Sequence, residues 1–160
     1  MTIRAVRPDD KTRISAAFRN LQPESLYTRF FLHRTNELTG EELREVTEVD
    51  FDNIVALVVT VATGGGEETI IGAGRYARCA SPGAEIAFIV EEDYQGQGIA
   101  SRIFGHLVRI AREKGVSRFE AEVFAGNRAM LAVFERSGLA LRKSLEEGVV
   151  HVSISLSAPA

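Results

Sequence analysis

The chain has 160 residues, of which 45% are hydrophobic and 26% are charged, and its formal net charge is -3. This length and apolar content predict one globular domain over residues 1–160, and the charge excludes the dominating basic excess that indicates a nucleic-acid partner. Residues 1–10 lack an apolar signal core, and no apolar run approaches the ~20 residues of a membrane span, so we expect a cytoplasmic protein without a membrane partner.

The first residues predict a strand followed by a helix. Residues 2–6 alternate in polarity, which is typical of a short strand, and a Pro-Asp-Asp turn follows. Asp9 or Asp10 has the side chain to cap a helix N-terminus. Apolar residues then recur at helical spacing, at Ile14, Ala17, Phe18 and Leu21. We therefore expect the first helix to begin at this turn.

Two further helical segments follow in the sequence. Pro23 suits the first position of a helix over residues 23–34, whose apolar residues share one face. Thr39 and Glu42 have the spacing of a capping box, which predicts the start of a third helix.

The period then changes to that of strands. Residues 53–62 are rich in β-branched side chains, residues 63–68 supply a glycine-rich turn, and residues 69–79 return as the partner strand. A Ser-Pro-Gly turn leads into a third strand, residues 84–90. These strands predict an antiparallel meander.

The rest of the chain alternates between helix and strand. Residues 99–115 have helical spacing and end at a glycine, and residues 117–124 alternate as a strand. Asn127 is predicted to begin a second helix that Gly138 ends, and residues 139–156 form a hairpin. The sequence thus predicts an α/β (α+β) fold with a mixed, mostly antiparallel central sheet and helices on both faces.

The cysteine and the histidines predict no metal centre. Cys79 is the single cysteine, so no internal disulfide forms. Its sequence neighbours supply no activating base, and we interpret it as a packing or incidental residue. His33, His106 and His151 are scattered singly, and His106 is predicted to lie on a helix surface.

The loop that enters the helix at residue 99 has the composition of an anion site. It comprises Gln95, Gly96, Gln97, Gly98, Ile99, Ala100 and Ser101. A helix N-terminus offers N–H groups and the positive end of the helix dipole, the glycines let a phosphate approach, and Arg102 adds positive charge. This arrangement fits a diphosphate. The alternative is a tight turn with Arg102 solvated at the surface.

A dinucleotide-binding loop is the more specific alternative interpretation of these glycines. Residues 96–101 are one residue from G-x-G-x-x-G, and Glu120 or Glu122 follows at a suitable distance. Ser101 at the third glycine position, the polar residues before Gly96, and the preceding meander count against it. The Walker phosphate loop is excluded, because no Gly-Lys-Ser/Thr follows. The predicted anion is therefore neither a nicotinamide dinucleotide nor a nucleoside triphosphate.

Residues 88–115, FIVEEDYQGQGIASRIFGHLVRIAREKG, resemble the acyl-CoA binding signature of the GNAT superfamily of N-acyltransferases. The family pattern Q/R-x-x-G-x-G/A falls on residues 95–100. A later segment resembles the second family signature. It comprises Asn127, the helical segment with Phe134, and the SGL of residues 137–139. Together the signatures span roughly the second half of the chain. The resemblance implies a GNAT-like fold and acetyl-CoA as co-substrate.

Segments of the first half resemble the acyltransferase domain of bacterial protein lysine acetyltransferases, which modify acyl-CoA synthetases. These segments are residues 26–31, LYTRFF; 38–53, LTGEELREVTEVDFDN; 70–78, IIGAGRYAR; and 84–98, AEIAFIVEEDYQGQG. The resemblance implies an N-acetyltransferase whose acceptor is a protein lysine, such as one on an acyl-CoA synthetase. A small-molecule amine is the alternative acceptor.

Glu85 is the candidate general base of acyl transfer, acting on the amine through a water. It begins the strand of residues 85–90, where period two places it on the face of Ala87 and Ile89. A carboxylate in so apolar a strand is costly unless it is paired. Glu85 also matches the catalytic glutamate of the lysine acetyltransferases.

Other roles for Glu85 and other candidates for the general base stay open. Glu85 could lie in solvent or pair with Arg75 or Arg78 of the neighbouring strand. Glu120 and Glu122 are the reserve candidates for the base, although an alternating strand more often turns such charges to water.

The superfamily resemblance implies further roles. It assigns the pantetheine arm and the thioester oxygen to the backbone of Phe88, Ile89 and Val90. It assigns the diphosphate to residues 95–102, and it places Asn127 and Phe134 beside the cofactor. Many members have a tyrosine at the Phe134 position to protonate the leaving thiolate, which phenylalanine cannot do. Either the thiolate leaves unprotonated, or Tyr94 or water serves as the acid.

Two other functions stay open. One is a non-catalytic acyl-CoA-binding regulatory or interaction module in which Glu85 is structural, and the other is the disfavoured dinucleotide-dependent oxidoreductase. The sequence names neither the acyl acceptor nor the assembly, for which a homodimer is the default expectation.

Overall fold

The structure is a computed structural model, and it describes residues 1–19, 39–62, 64–79, 83–90 and 98–156. The predicted second helix, residues 23–34, lies outside the described residues.

The described residues form seven strands and four α-helices. The strands are β1 (Thr2–Ala5), β2 (Ile54–Ala62), β3 (Glu68–Arg78), β4 (Gly83–Val90), β5 (Arg118–Phe124), β6 (Leu141–Glu146) and β7 (Val149–Ser155). The helices are α1 (Lys11–Arg19), α2 (Gly40–Thr47), α3 (Ile99–Glu113) and α4 (Arg128–Glu135). These elements confirm the predicted first strand, the meander, the two later helices and the closing hairpin.

All seven strands belong to one sheet, in the order β1-β2-β3-β4-β5-β7-β6. The neighbouring pairs are antiparallel except for β4 and β5, which are parallel. A parallel pair needs a crossover connection, and α3 lies within it. The predicted mixed, mostly antiparallel sheet is confirmed.

Helices pack on both faces of this sheet. On the face that we call the α3 face, the core includes Ile103, Leu107 and Phe119, and α4 adds its buried aromatic ring. On the opposite face, the α1 face, Ile14 and Val46 pack on the apolar residues of β2, β3 and β4. Because both faces are covered there, β2 is buried along most of its length.

Asp10 caps the start of the first helical segment, as predicted, but from the third position and not as the N-cap. It is the last residue of the 3₁₀ turn Pro8–Asp10, whose N-cap is Arg7 and which α1 follows directly. Its fully buried carboxylate accepts hydrogen bonds from the Arg7 backbone N–H at 2.7 Å, from the Arg4 guanidinium at 2.7 and 2.9 Å, and from Arg13 Nη1 at 3.1 Å. The carboxylate therefore joins β1 to α1.

We expect Asp10→Asn to lower the free energy of unfolding by about 2 kcal/mol at neutral pH, because it leaves Arg4 without its buried counter-charge. Burial by itself would raise the pKa of Asp10, but the hydrogen bonds from Arg4, Arg7 and Arg13 outweigh it and hold that pKa below its usual value. A lowered folded-state pKa contributes stability above the unfolded-state value, and the contribution is lost as the pH falls through the folded-state pKa.

Urea unfolding at about pH 7 and about pH 3 checks this expectation. The wild type should lose more stability than Asp10→Asn between the two conditions. Asp9→Asn is the matched control, since that side chain is 70% exposed. An identical pH dependence for the wild type and Asp10→Asn would contradict the role given to Asp10.

Two smaller expectations concern the surface. Cys79 follows β3 and is exposed, so a packing role is wrong for it. His106 is exposed on α3, as predicted.

No helix in the described part of the chain is long and apolar enough to cross a membrane.

Candidate active site

The candidate site lies where β4 and β5 part. Their parallel ladder has three register pairs and ends at Glu85 and Glu120. Both strands continue beyond this rung, to Val90 and Phe124, and a cleft of about 1040 Å³ lies between them. A strand edge that lines a cleft can hydrogen-bond an extended ligand in the manner of an added strand.

The cleft contains most of the predicted cofactor residues that the structure describes. Those lining it are Phe88, Ile89, Val90, Gly98, Ile99, Ala100, Ser101, Asn127 and Phe134. Arg102 is exposed one turn into α3. Gln95, Gly96 and Gln97 lie outside the described residues. The structure thus brings three separate chain segments to one cleft.

The N-terminus of α3 points into this cleft. Gly98 is its N-cap residue, with a left-handed φ of 78°, and no side chain caps the helix. The first intrahelical bond that involves this residue joins the Arg102 N–H to the Gly98 carbonyl at 3.1 Å. The earlier N–H groups have no intrahelical acceptor, and the helix dipole is positive at this end. This geometry suits an anionic ligand group.

The first turn and the core side of α4 form another wall. Asn127 is the N-cap, as predicted, and its Oδ1 accepts a hydrogen bond from the Met130 N–H at 3.1 Å. Phe134 is only 1% exposed, and its ring centroid lies 6.0 Å from that of Phe88 and 5.3 Å from that of Phe104. Phe134 is therefore both a core residue and an apolar wall of the cleft.

Glu85 is half-buried on the last rung before the cleft. It lies on the α1 face, because β4 alternates and its neighbour Ile86 packs on the α3 face. In the ladder with β3, Ala77 is opposite Glu85 and Arg75 is opposite Ala87. Glu85 and Arg75 are therefore diagonal neighbours on one face, within reach of a long side chain.

Arg75 is the arginine that shares the environment of Glu85. Burial lowers the pKa of Arg75, and the charges of Glu45 and Glu85 oppose this change. The other predicted partner, Arg78, donates instead to the backbone carbonyls of Asp52 and Lys114, at 3.2 and 2.7 Å. Of the two pairings considered from the sequence, the structure favours the one with Arg75.

The structure corrects the prediction that Glu120 and Glu122 face water. Their side chains are only 20% and 27% exposed. Glu120 lies 2.7 Å from Arg118 Nε and 2.7 Å from His151 Nε2, and it accepts a hydrogen bond from Ser153 Oγ at 3.1 Å. Glu122 Oε1 lies 3.9 Å from His151 Nδ1 and lines the cleft. The pairing of β5 with β7 encloses both carboxylates in a polar layer.

Sequence reasoning missed His151 and Ser153 as parts of this environment. Their register partners in β5 are Glu122 and Glu120. The alternation of polar residues along β5 and β7 is visible in the sequence, but which residues face each other depends on the register of the two strands.

The sequence and the fold match known acetyltransferases. Residues 20–139 match the family model described as the Acetyltransferase (GNAT) family. An acetyltransferase of Pseudomonas aeruginosa is 32% identical over 129 residues, covering 80% of this chain and 68% of that protein. Acetyltransferase Pat of Mycolicibacterium smegmatis is 34% identical over 157 residues, covering 96% of this chain and 45% of that protein. The chain thus spans less than half the length of Pat.

Among solved structures, the GNAT domain of S. lividans PAT superposes with a TM-score of 0.82 at 33% identity, covering 96% of this chain and 89% of that chain. The mixed sheet, which parts between β4 and β5, agrees with this family match. The chain therefore belongs to the acetyltransferase (GNAT) family and is an acetyltransferase.

Proposed function

We propose that this protein transfers the acetyl group of acetyl-CoA to the side-chain amine of a lysine on an acceptor protein, with Glu85 as general base. The observation that carries the proposal is the position of Glu85 on the last rung before β4 and β5 part. A thioester held in the cleft and an amine arriving from the α1 face meet beside this carboxylate. Such alignment supplies much of the rate acceleration of a two-substrate reaction.

In this proposal the cleft holds the coenzyme. The pantetheine arm follows the backbone of residues 88–90, and the diphosphate lies at the N-terminus of α3 with residues 95–97 and Arg102. Asn127 and Phe134 flank the coenzyme from α4. The uncapped helix end and the volume of about 1040 Å³ support this placement.

The proposed step is direct transfer within a ternary complex. The amine nitrogen attacks the thioester carbonyl carbon, a C–N bond forms, the C–S bond breaks, and the thiolate of coenzyme A leaves. The amine gives up its proton to Glu85 through a water, and the backbone of β4 stabilises the developing oxyanion. Phe134 has no proton to give, so the thiolate, which is a moderately weak base, takes its proton from solvent.

The lysine acceptor is the finer part of the proposal. It is supported by the resemblance of residues 26–31 and 38–53 to protein lysine acetyltransferases. The similarity to the acetyltransferase Pat and to the PAT domain, which extends over nearly the whole chain, supports acetyl transfer. Residues 1–160 form a single acetyltransferase domain in this proposal. A small-molecule amine as acceptor is the principal competing outcome.

Two measurements test the proposal together. Acetyl-CoA should raise the midpoint of thermal unfolding, by the equivalent of about 2.7 kcal/mol at a hundredfold excess over its dissociation constant, whereas nicotinamide dinucleotides should not. Thiol release should then be followed with lysine-bearing proteins and small amines as acceptors. Stabilisation by a dinucleotide alone contradicts acyl-CoA binding, and stabilisation by acetyl-CoA without turnover on any acceptor identifies a non-catalytic binding module.

A further inference from the structure

Two carboxylates stand side by side on the last rung of the parted strands. Glu85 of β4 and Glu120 of β5 are register partners, and both project on the α1 face. Neighbouring strands are about 4.8 Å apart, so the charge of one side chain acts on the other. The charge of Glu120 therefore contributes to the electrostatic potential at Glu85.

Glu120 is held in place by groups that also set its net charge. Arg118 Nε and His151 Nε2 each lie 2.7 Å from one of its oxygens, and Ser153 Oγ donates to it at 3.1 Å. The His151 side chain is 45% exposed, so protons reach it from solvent. Histidine is the side chain whose charge changes between about pH 5 and pH 8.

From this geometry we infer that Glu120 and His151 are positioning residues for Glu85, and that the charge of His151 sets how much negative charge Glu120 presents to the base. The inference rests on the proposed function, in which ionised Glu85 accepts the proton of the amine. Neither Glu120 nor His151 touches the reacting atoms. Their effect passes through the carboxylate of Glu85.

The direction of the effect follows from elementary electrostatics. A neighbouring negative charge disfavours the ionised form of a carboxylate, and a positive charge favours it. A positive charge on His151 offsets the charge of Glu120 and so favours the ionised form of Glu85. Without that compensation, the charge of Glu120 disfavours ionised Glu85.

Other charged groups face this pair among the described residues. From β3, Arg75 lies diagonal to Glu85, and Glu45 of α2 acts on Arg75. From β5, Glu122 lies 3.9 Å from His151 Nδ1. From β6, the uncharged Ser144 is opposite His151, and the charged Arg142 and Glu146 flank it on the same face, opposite Ser153 and Val149. None of these is altered in the experiment below, so their contributions are common to every variant.

The test compares the pH profiles of kcat/KM for acetyl transfer to one acceptor in the wild type, His151→Gln, Glu120→Gln and the double variant. The glutamine at 151 keeps an N–H donor for Glu120 but cannot become charged. The acidic limb should move to higher pH by about half a pH unit in His151→Gln and to lower pH in Glu120→Gln. The double variant should show the sum of the two single shifts, because both charges act on Glu85.

His106→Gln is the matched control, since it makes the same substitution at an exposed position on α3, and its profile should coincide with that of the wild type. Acetyl-CoA affinity should stay unchanged in all variants. Coincident limbs in His151→Gln and the wild type, or an acidic limb in Glu120→Gln that does not move to lower pH, overturn the inference and leave the proposed function standing. Absence of transfer by the wild type overturns the proposed function and this inference with it.

Discussion

Glu85→Gln is expected to lower the rate of acetyl transfer by about 10²- to 10³-fold, because general-base catalysis contributes a factor of this size. Glutamine has nearly the same shape as glutamate but accepts no proton at neutral pH. Acetyl-CoA binding should be retained, since the proposed contacts to the coenzyme come from the cleft beyond Glu85 and from the N-terminus of α3. Thiol release and acetyl-CoA affinity, measured on the same preparation, separate the two effects.

Glu113→Gln is the control for this change. Glu113 is exposed at the far end of α3, and its replacement should leave the rate unchanged. Equal turnover in Glu85→Gln and the wild type would move the base to Glu122, to Glu120 or to the ionisation of the acceptor itself. Of these two carboxylates, Glu122 lines the cleft, whereas Glu120 is engaged by Arg118, His151 and Ser153.

Gly74→Ala is expected to lower the free energy of unfolding by about 2 kcal/mol, because it overpacks the contact between β3 and α3. A Cβ at this position would lie 2.3 Å from Ile103 Cγ2 and 2.9 Å from Phe88 Cδ1. Both neighbours are buried, with 0% and 4% exposure, so neither moves aside without disturbing the core. Since Phe88 lines the cleft, acetyl-CoA affinity should fall as well.

Gly105→Ala is the matched control for this prediction. Gly105 lies within α3, and apart from its chain neighbours and the local helix backbone, no atom would lie within 4 Å of a Cβ there. Because alanine is the better helix former, the change should raise stability by about 0.5–1 kcal/mol. Chemical denaturation of the two variants should therefore give shifts of opposite sign. A Gly74→Ala protein as stable as the wild type would contradict the close packing of α3 on β3.

Local patterns were sufficient to predict much of the fold. The capping boxes and caps are short-range features, and the Thr39 hydroxyl does accept from the Glu42 N–H at 3.1 Å. The turn between β6 and β7 has positive φ at both Glu147 and Gly148, as a two-residue hairpin requires. In each case the interacting groups lie within a few residues of each other, so the sequence contains the whole signal.

The errors concern groups whose partners are distant in the sequence or on a neighbouring strand. Glu120 was predicted to face water, but His151 and Ser153 arrive from β7, more than thirty residues later. Asp10 was predicted as a cap and does accept from the Arg7 N–H, but its contacts with the Arg4 guanidinium of β1 were not predicted. Strand register and side-chain reach decide such contacts, and neither follows from local periodicity.

The candidate site was predictable mainly through the family resemblance. Periodicity predicts β4 and β5 but not that their ladder ends at Glu85, which creates the cleft. The roles of Gln95, Gly96 and Gln97 stay predictions, since these residues lie outside the described part of the chain. The roles of Glu85, Asn127 and Phe134 in binding and catalysis are proposals that their placement around the cleft supports.

A crystal structure of the protein with acetyl-CoA tests the central claim most directly. We expect the pantetheine arm to lie between β4 and β5, the diphosphate to lie at the N-terminus of α3, and the thioester to lie next to Glu85. Coenzyme bound elsewhere on the protein, or a thioester remote from Glu85 with the cleft empty, would contradict the proposed binding mode.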